Sequence, residues 1–330
     1  MEHKLGITMG DPAGIGPEII AEALAKNDIL DIGKLILFGD KKVMEEAMKI
    51  VDIEMEINLL DKDLNNYRDN KLNIYDMDNV NLEQLEFGKV QGEAGLASYQ
   101  YIEKASEMAL DGKIDAVITG PINKEALKAG DVEYIGHTEM LGDLTNTDYP
   151  LTMFEVHSLR IFFLTRHVSL IQACNQITEE RVLRGIRESA KALNKLGIDN
   201  PELAVAALNP HSGEHGLFGS EEVEEIEPAV KKAKSSGYNV EGPVPADSVF
   251  HFALEGYYDA VLSLYHDQGH IAAKMVDFEK TVSITNNLPF LRTSVDHGTA
   301  FDIAGKGKAS SVSMEEAIKV AAKYAPYFID

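Results

Sequence analysis

Short apolar runs alternate with stretches whose apolar residues recur every three to four positions, and this alternation organises most of the chain. Residues 5–9, 35–38 and 116–119 are compact apolar runs of strand length, and 203–208 and 259–264 share that character. Helical periodicity covers 19–25, 42–50, 92–110, 177–196, 221–235, 247–254 and 314–324. Pro17 suits the first turn of the earliest of these. Thr178, followed by Glu179 and Glu180, reads as an N-cap with acidic residues at the positive end of the helix dipole. Residues 151–156 and 159–164, joined only by His157-Ser158, predict adjacent antiparallel strands. Strands alternating with helices indicate an α/β fold, a mostly parallel sheet covered by helices.

At 330 residues the chain exceeds one ordinary core, so one large domain or two closely joined ones are expected. No repeat, low-complexity tract or flexible linker divides it. A net charge of −23 argues against nucleic acid and anionic membrane as partners, since both need clustered cations. An anionic substrate stays open, because a few Lys and Arg residues can reverse the field locally. The single cysteine, Cys174, excludes an intrachain disulfide and fits a reducing cytoplasm; it reads as a small buried apolar residue. No leader and no membrane-length apolar run precedes or interrupts the pattern, so a cytoplasmic location is expected.

The glycines at 10, 14 and 16, with Pro12 among them, do not match the dinucleotide spacing G-x-G-x-x-G. They read as a strand-to-helix turn that lines a cleft. Four histidines follow apolar runs: His137, His167, His211 and His266. Parallel strands deliver their carboxyl ends to one edge, so His167, His211 and His266 together suit Zn²⁺ or a similar divalent ion. Their wide separation in sequence favours a site with open positions over a closed structural one. Asp267 and Asp247 are each placed to orient an imidazole, to ligate or to act as base, with a plain N-cap the alternative for Asp247. Lys274 and Arg292 supply cations for a carboxylate or phosphate, and His137 with Thr138, opening a helix, adds donors for the same anion. Glu155, His157 and His215 are assigned to surface or packing, and the acidic cluster of 221–227 to a solvated face.

Several segments together resemble the 4-hydroxythreonine-4-phosphate dehydrogenase family. They are Met9-Gly10-Asp11-Pro12-Ala13-Gly14-Ile15-Gly16-Pro17-Glu18, Gly136-His137-Thr138-Glu139, Asn209-Pro210-His211-Ser212-Gly213-Glu214, Gly242-Pro243-Val244-Pro245-Ala246-Asp247, Tyr265-His266-Asp267-Gln268-Gly269 and Arg292-Thr293-Ser294-Val295-Asp296-His297-Gly298-Thr299. The stretch from His297 to Gly307 is also similar to the nucleotide loop of isopropylmalate and isocitrate dehydrogenases. The resemblance implies an isocitrate/isopropylmalate dehydrogenase-like subunit of two α/β domains with a cleft between them, and a homodimer with its active site at the interface. Residues 1–138 with 280–330 would form the first domain, and 139–279 the second, which carries the metal ligands and dimer contacts. Carried over by position, His167, His211 and His266 would hold a divalent metal (Zn, Mg or Co). His137, Thr138, Lys274, Ser283 and Arg292 would face the substrate. His297, Gly298, Thr299 and Asp302 would bind NAD, with Asp302 on the adenosine ribose.

Two departures bear on the substrate. Ser283 stands where the family usually has Asn, and Asn286-Asn287 replaces the usual Leu-Gly. Gln268-Gly269-His270-Ile271 and the segment from Thr299 to Ala304 look like a second branch, similar to enzymes that oxidise 4-phospho-D-threonate or 4-phospho-D-erythronate. The expected activity is NAD-dependent oxidation at C3 followed by decarboxylation, with Asp247, Asp267 and Lys124 as candidate proton acceptors. The alternative is oxidation of 4-hydroxythreonine-4-phosphate itself, as in pyridoxal phosphate synthesis. A metal-dependent hydrolase or a phosphate-binding protein on the same scaffold is a more distant alternative.

Overall fold

The structure is a computed structural model in which residues 3–328 are described. Its strands are β1 (Lys4–Thr8), β2 (Lys34–Gly39), β3 (Ile57–Leu59), β4 (Leu72–Asp76), β5 (Ala116–Thr119), β6 (Leu151–Val156), β7 (Leu159–Phe163), β8 (Leu203–Ala206), β9 (Val240–Val244), β10 (Ala260–Ser263), β11 (Val282–Asn286) and β12 (Leu291–Val295). With helices between them, the fold is α/β, as the alternation predicts. The chain forms two compact units. One takes the chain up to Pro150 and again from Asn287, and the other is Leu151–Asn286. The borders therefore fall at 150 and 286, not at 138 and 279. The helix His137–Leu144 belongs to the first unit, and β11, with Ser283, to the second.

In the first unit the strands run in the order β3-β4-β2-β1-β5-β12, and every pairing is parallel. Strands covered by helices on both faces read as unbroken apolar runs, and Leu5, Ile7, Leu35, Leu37, Val117 and Ile118 are almost fully buried. Because β1, β5 and β12 all point one way, the segments after Thr8, Thr119 and Val295 leave from the same sheet edge. The helices Gly16–Leu24, Gly92–Leu110 and Val312–Tyr324 lie in this unit, the first with Pro17 in its opening turn.

The second unit has the order β11-β6-β7-β10-β8-β9. The pairs β11/β6 and β6/β7 are antiparallel, and the turn between β6 and β7 closes with His157 at φ 53°. From β7 through β10 and β8 to β9 the pairing is parallel. Phe154, Ile161 and Phe163 of the hairpin pack with Val249 and Phe250 of helix Ala246–Leu254 and with Ala273 of helix His266–Val276.

The predicted helix 221–235 is interrupted. Pro228 has no N–H to give, and a wide turn over Glu222–Ile226, closed from the Glu227 amide to the Glu222 carbonyl, precedes the regular helix Glu227–Ser235. The acidic cluster here is also not simply a solvated face, because Glu222 is fully buried. Its Oε1 accepts from the amides of Leu208 and Asn209 at 2.8 and 2.7 Å, and its Oε2 accepts from Asn209 Nδ2 at 2.8 Å. Glu222 thereby fixes the segment that leads into His211. Cys174, read as buried, is half-buried in helix Leu170–Asn175. Glu222→Ala should remove the acceptor for two backbone amides and cost about 2–4 kcal/mol, read as a lower urea midpoint. An unchanged midpoint would show that water satisfies those amides equally well.

Candidate functional site

Two sets of predicted residues come together, one in each unit. In the first unit β5 ends at Thr119, and Asn123 caps the helix Lys124–Ala129 by accepting from the Ala126 amide at 2.9 Å. Lys124 opens that helix, and its Cε lies 4.0 Å from where a Cβ on Gly136 would stand. His137 and Thr138 begin the next helix, His137–Leu144. From β12 the buried guanidinium of Arg292 reaches back and donates to Thr119 Oγ1 at 2.5 Å. Burial pushes the Arg292 pKa down to about 9, which leaves it a cation at neutral pH.

His137 stands beside it. The residue is half-buried overall, but its Nε2 is out of reach of solvent and has no hydrogen-bond partner among the described residues. Desolvation, and then the nearby Arg292 charge, hold its pKa well below the ordinary histidine value, against a hydrogen bond to the Gly120 backbone. The pair is therefore a neutral imidazole next to a fixed cation. That combination can receive an anion and a hydroxyl together.

The 296–307 segment follows β12 and is fastened to the glycine loop. Thr299 accepts from the Ile15 amide at 3.1 Å through its carbonyl, and Asn123 Nδ2 donates to its Oγ1 at 3.4 Å. A Cβ on Gly14 would stand 2.9 Å from Thr299 Cβ, so the close approach requires glycine there. His297 Nδ1 lies 3.0 Å from the Gly298 carbonyl. Gly298 faces open space, and Asp302 is exposed, with its carbonyl accepting from Lys306 Nζ at 2.6 Å. An open glycine backbone and an exposed carboxylate are the groups a phosphate-linked ribose would need, so these residues fit a dinucleotide. The glycine loop itself holds Asp11, whose Oδ1 accepts from the Ala13 amide at 2.9 Å. Its Oδ2 is buried without a partner among the described residues. Burial raises the Asp11 pKa to about 7, against that one hydrogen bond.

In the second unit the three predicted metal histidines follow three adjacent parallel strands: His167 after β7, His266 after β10 and His211 after β8. The rings of His167 and His266 are 6.0 Å apart. Asp267 Oδ1 holds His266 Nδ1 at 2.6 Å, so Nε2 is the nitrogen that would meet a metal. His270 stacks on the same ring at 3.6 Å. His211 lies in a turn, Pro210–Gly216, where residues 211–215 all take left-handed backbone angles. Beside it is a cavity of about 720 Å³ lined by His211, Ser212, Glu214, His215, Glu227 and Pro243. His215, assigned to surface or packing, is exposed and shares this cavity. The donor types suit a divalent ion, yet no three His, Cys, Asp or Glu side chains converge on one point among the described residues.

The remaining predicted residues are placed as follows. Lys274 is half-buried in the last turn of helix His266–Val276, with Nζ 4.7 Å from the Phe278 ring centre. Ser283 sits on β11 opposite Phe154. Asp247 is exposed in the first turn of helix Ala246–Leu254, where Pro245, not Asp247, occupies the N-cap. Glu155 is buried and paired with Arg160 at 3.2 Å, a packing role as expected. Sequence reasoning passed over Asp11, Glu18 and Glu222. Nothing local marked the burial of any of the three.

The family described as pyridoxal phosphate biosynthetic protein PdxA matches residues 31–321. A protein of Fusobacterium nucleatum named "Putative D-threonate 4-phosphate dehydrogenase" is 58% identical over 329 residues, which cover 99% of each chain. One of Symbiobacterium thermophilum with the same name is 59% identical over 325 residues, covering 98% of this chain and 97% of that one. Among solved structures, a 4-hydroxythreonine-4-phosphate dehydrogenase from Klebsiella pneumoniae superposes with a TM-score of 0.92 at 39% identity, covering 98% of both chains.

Asp11 gives the site a measurable pH signature. Its folded pKa of about 7 lies above the ordinary 3.8, so folding favours the protonated form. Relative to a chain without this group, stability is then lost as pH rises through that interval. Asp11→Asn keeps the acceptor for Ala13 and removes the buried charge. It should raise the thermal midpoint more at about pH 8 than at about pH 5. An equal change at both would mean that Asp11 is ionised in the folded protein throughout.

Proposed function

The chain belongs to the PdxA family, and on that footing we propose that it is an NAD-dependent dehydrogenase whose substrate is 4-phospho-D-threonate. The observation that carries this reading is the buried Arg292 guanidinium beside a neutral His137, a receptor for one anionic group and a hydroxyl. The names of the relatives at 58% and 59% identity support threonate over the amino substrate named for the structure at 39%.

In this reading Arg292 and Lys274 hold the anionic groups of the substrate, with His137 and Thr138 donating to it and Ser283 beside it. The C3 hydroxyl loses its proton to a base, and its carbon gives up a hydride. Asp267 is engaged by His266, which makes it an orienting residue; Asp247 and Lys124 are the remaining proton acceptors. The resulting 3-keto acid loses CO₂, the electron pair passes into the adjacent carbonyl, and C2 takes up a proton. The product is a ketone of the dihydroxyacetone phosphate type. Bound NAD, held by His297, Gly298, Thr299 and Asp302, would supply the hydride acceptor. A divalent ion (Zn, Mg or Co) on His167, His211 and His266 would supply Lewis acidity at the reacting oxygen.

A homodimer sharing the metal ligands between copies completes the reading. The second unit leaves Leu170, Ile171, Leu217, Ile271 and Met275 at 59–81% exposure, an amount of apolar surface that a partner copy would cover.

With NAD⁺, kcat/KM for 4-phospho-D-threonate should exceed that for 4-hydroxythreonine-4-phosphate by about tenfold or more. The reverse order would assign the chain to the amino substrate, and 4-phospho-D-erythronate belongs in the same assay. His211→Ala should abolish turnover and lower bound metal while leaving the circular dichroism spectrum unchanged. Undiminished metal content in that variant would remove His211 from the site.

A further inference from the structure

Among the buried carboxylates that the mechanism does not use, one holds the 296–307 segment. Glu18 lies in the first turn of helix Gly16–Leu24 and is 1% exposed. A carboxylate at that depth is costly unless hydrogen bonds replace its water. Both of its oxygens are used on a single object, the far end of the 296–307 segment. Oε1 accepts from the Gly305 amide at 2.5 Å and Oε2 from the Gly307 amide at 2.7 Å. Gly305 and Gly307 have φ of 76° and 59°, so the segment turns sharply where Glu18 holds it.

Other contacts fasten the same segment at its near end. The Ile15 amide donates to the Thr299 carbonyl, and Gly14 lies against the Thr299 side chain. The glycine loop and the first turn of its helix therefore clamp the segment on both sides of Asp302. The clamp's far jaw is charge-assisted, which makes it the stronger.

We propose that Glu18 is a positioning residue for dinucleotide binding, holding the 299–307 loop in the shape that presents Asp302 and the Gly298 backbone to the adenosine half of the cofactor. This rests on the dinucleotide reading of that loop. It also gives the 10–18 segment a role that does not require the G-x-G-x-x-G spacing. The glycines serve contact with a second protein loop, and that loop meets the ligand.

The test is NADH binding by fluorescence enhancement, which is free of tryptophan background because the chain has none. Glu18→Gln retains the size and one acceptor oxygen but turns an amide donor toward a backbone donor. It should raise the NADH Kd by about tenfold while KM for the phosphorylated substrate stays within a factor of about two. Glu18→Asp, which keeps the charge on a shorter arm, should recover part of the loss. Wild-type protein that binds no NADH would overturn the dinucleotide reading and this role with it. Wild-type binding matched by Glu18→Gln would overturn the role of Glu18 alone. Should neither variant fold, hydrogen exchange in the wild type still decides. Gly305 and Gly307 amides should be protected before NADH is added, and unprotected amides would overturn the proposal.

Discussion

Parallel backbone pairing of β1 with β5 and of β5 with β12 is the constraint on which the first unit's chemistry depends. Parallel strands in register deliver their carboxyl ends to one edge, whatever the distance between them in sequence. That pairing brings Asp11, Asn123 and His297 to a common edge, though more than a hundred residues of chain separate the first from the second. It also lets Arg292, on β12, reach Thr119 at the end of β5. The second unit repeats the device with β7, β10 and β8, whose ends carry His167, His266 and His211.

Once the edge is assembled, burial changes the chemistry of what stands there. Desolvation lowers both Arg292 and His137, but from very different starting values. One therefore remains a cation at neutral pH while the other is held neutral. Desolvation acts in the opposite direction on Asp11, because the disfavoured form of a carboxyl is the anion. One physical cause thus leaves Arg292 a cation and His137 neutral, and keeps the Asp11 carboxyl partly protonated near pH 7. An edge built this way is less acidic than the net charge of −23 suggests.

Buried carboxylates that accept backbone amides form the second theme. Glu222 anchors the approach to His211, and Glu18 anchors the loop that carries Asp302. Each converts a segment with little regular structure into a fixed one. Both residues lie in or next to acidic or helical runs in which a solvated carboxylate is the ordinary expectation. Burial of such a group is invisible to any local pattern, because its partners lie 13 or 14 residues away in one case and 287 or 289 in the other.

The sequence by itself determined the α/β alternation, the strand and helix positions that carry most of the core, and the clustered motifs that align with the PdxA family. Apolar periodicity is a local property, so it survives without knowledge of the fold. It missed β3, β4, β9, β11 and β12 and the helices Lys124–Ala129, Leu170–Asn175 and His266–Val276, which are short or carry polar residues that mask the period. Motif reading nonetheless singled out Arg292, His137 and the histidines after β7, β8 and β10. Only the tertiary structure decided that Thr119 receives Arg292, that Thr299 closes on Gly14, and that Glu18 and Glu222 are buried. It also decided that His167 and His266 approach one another while three metal donors do not gather among the described residues of one chain. The reason is the same in each case: these contacts depend on which strands are neighbours and how deep each side chain lies. Both are fixed by long-range pairing, not by the residues on either side.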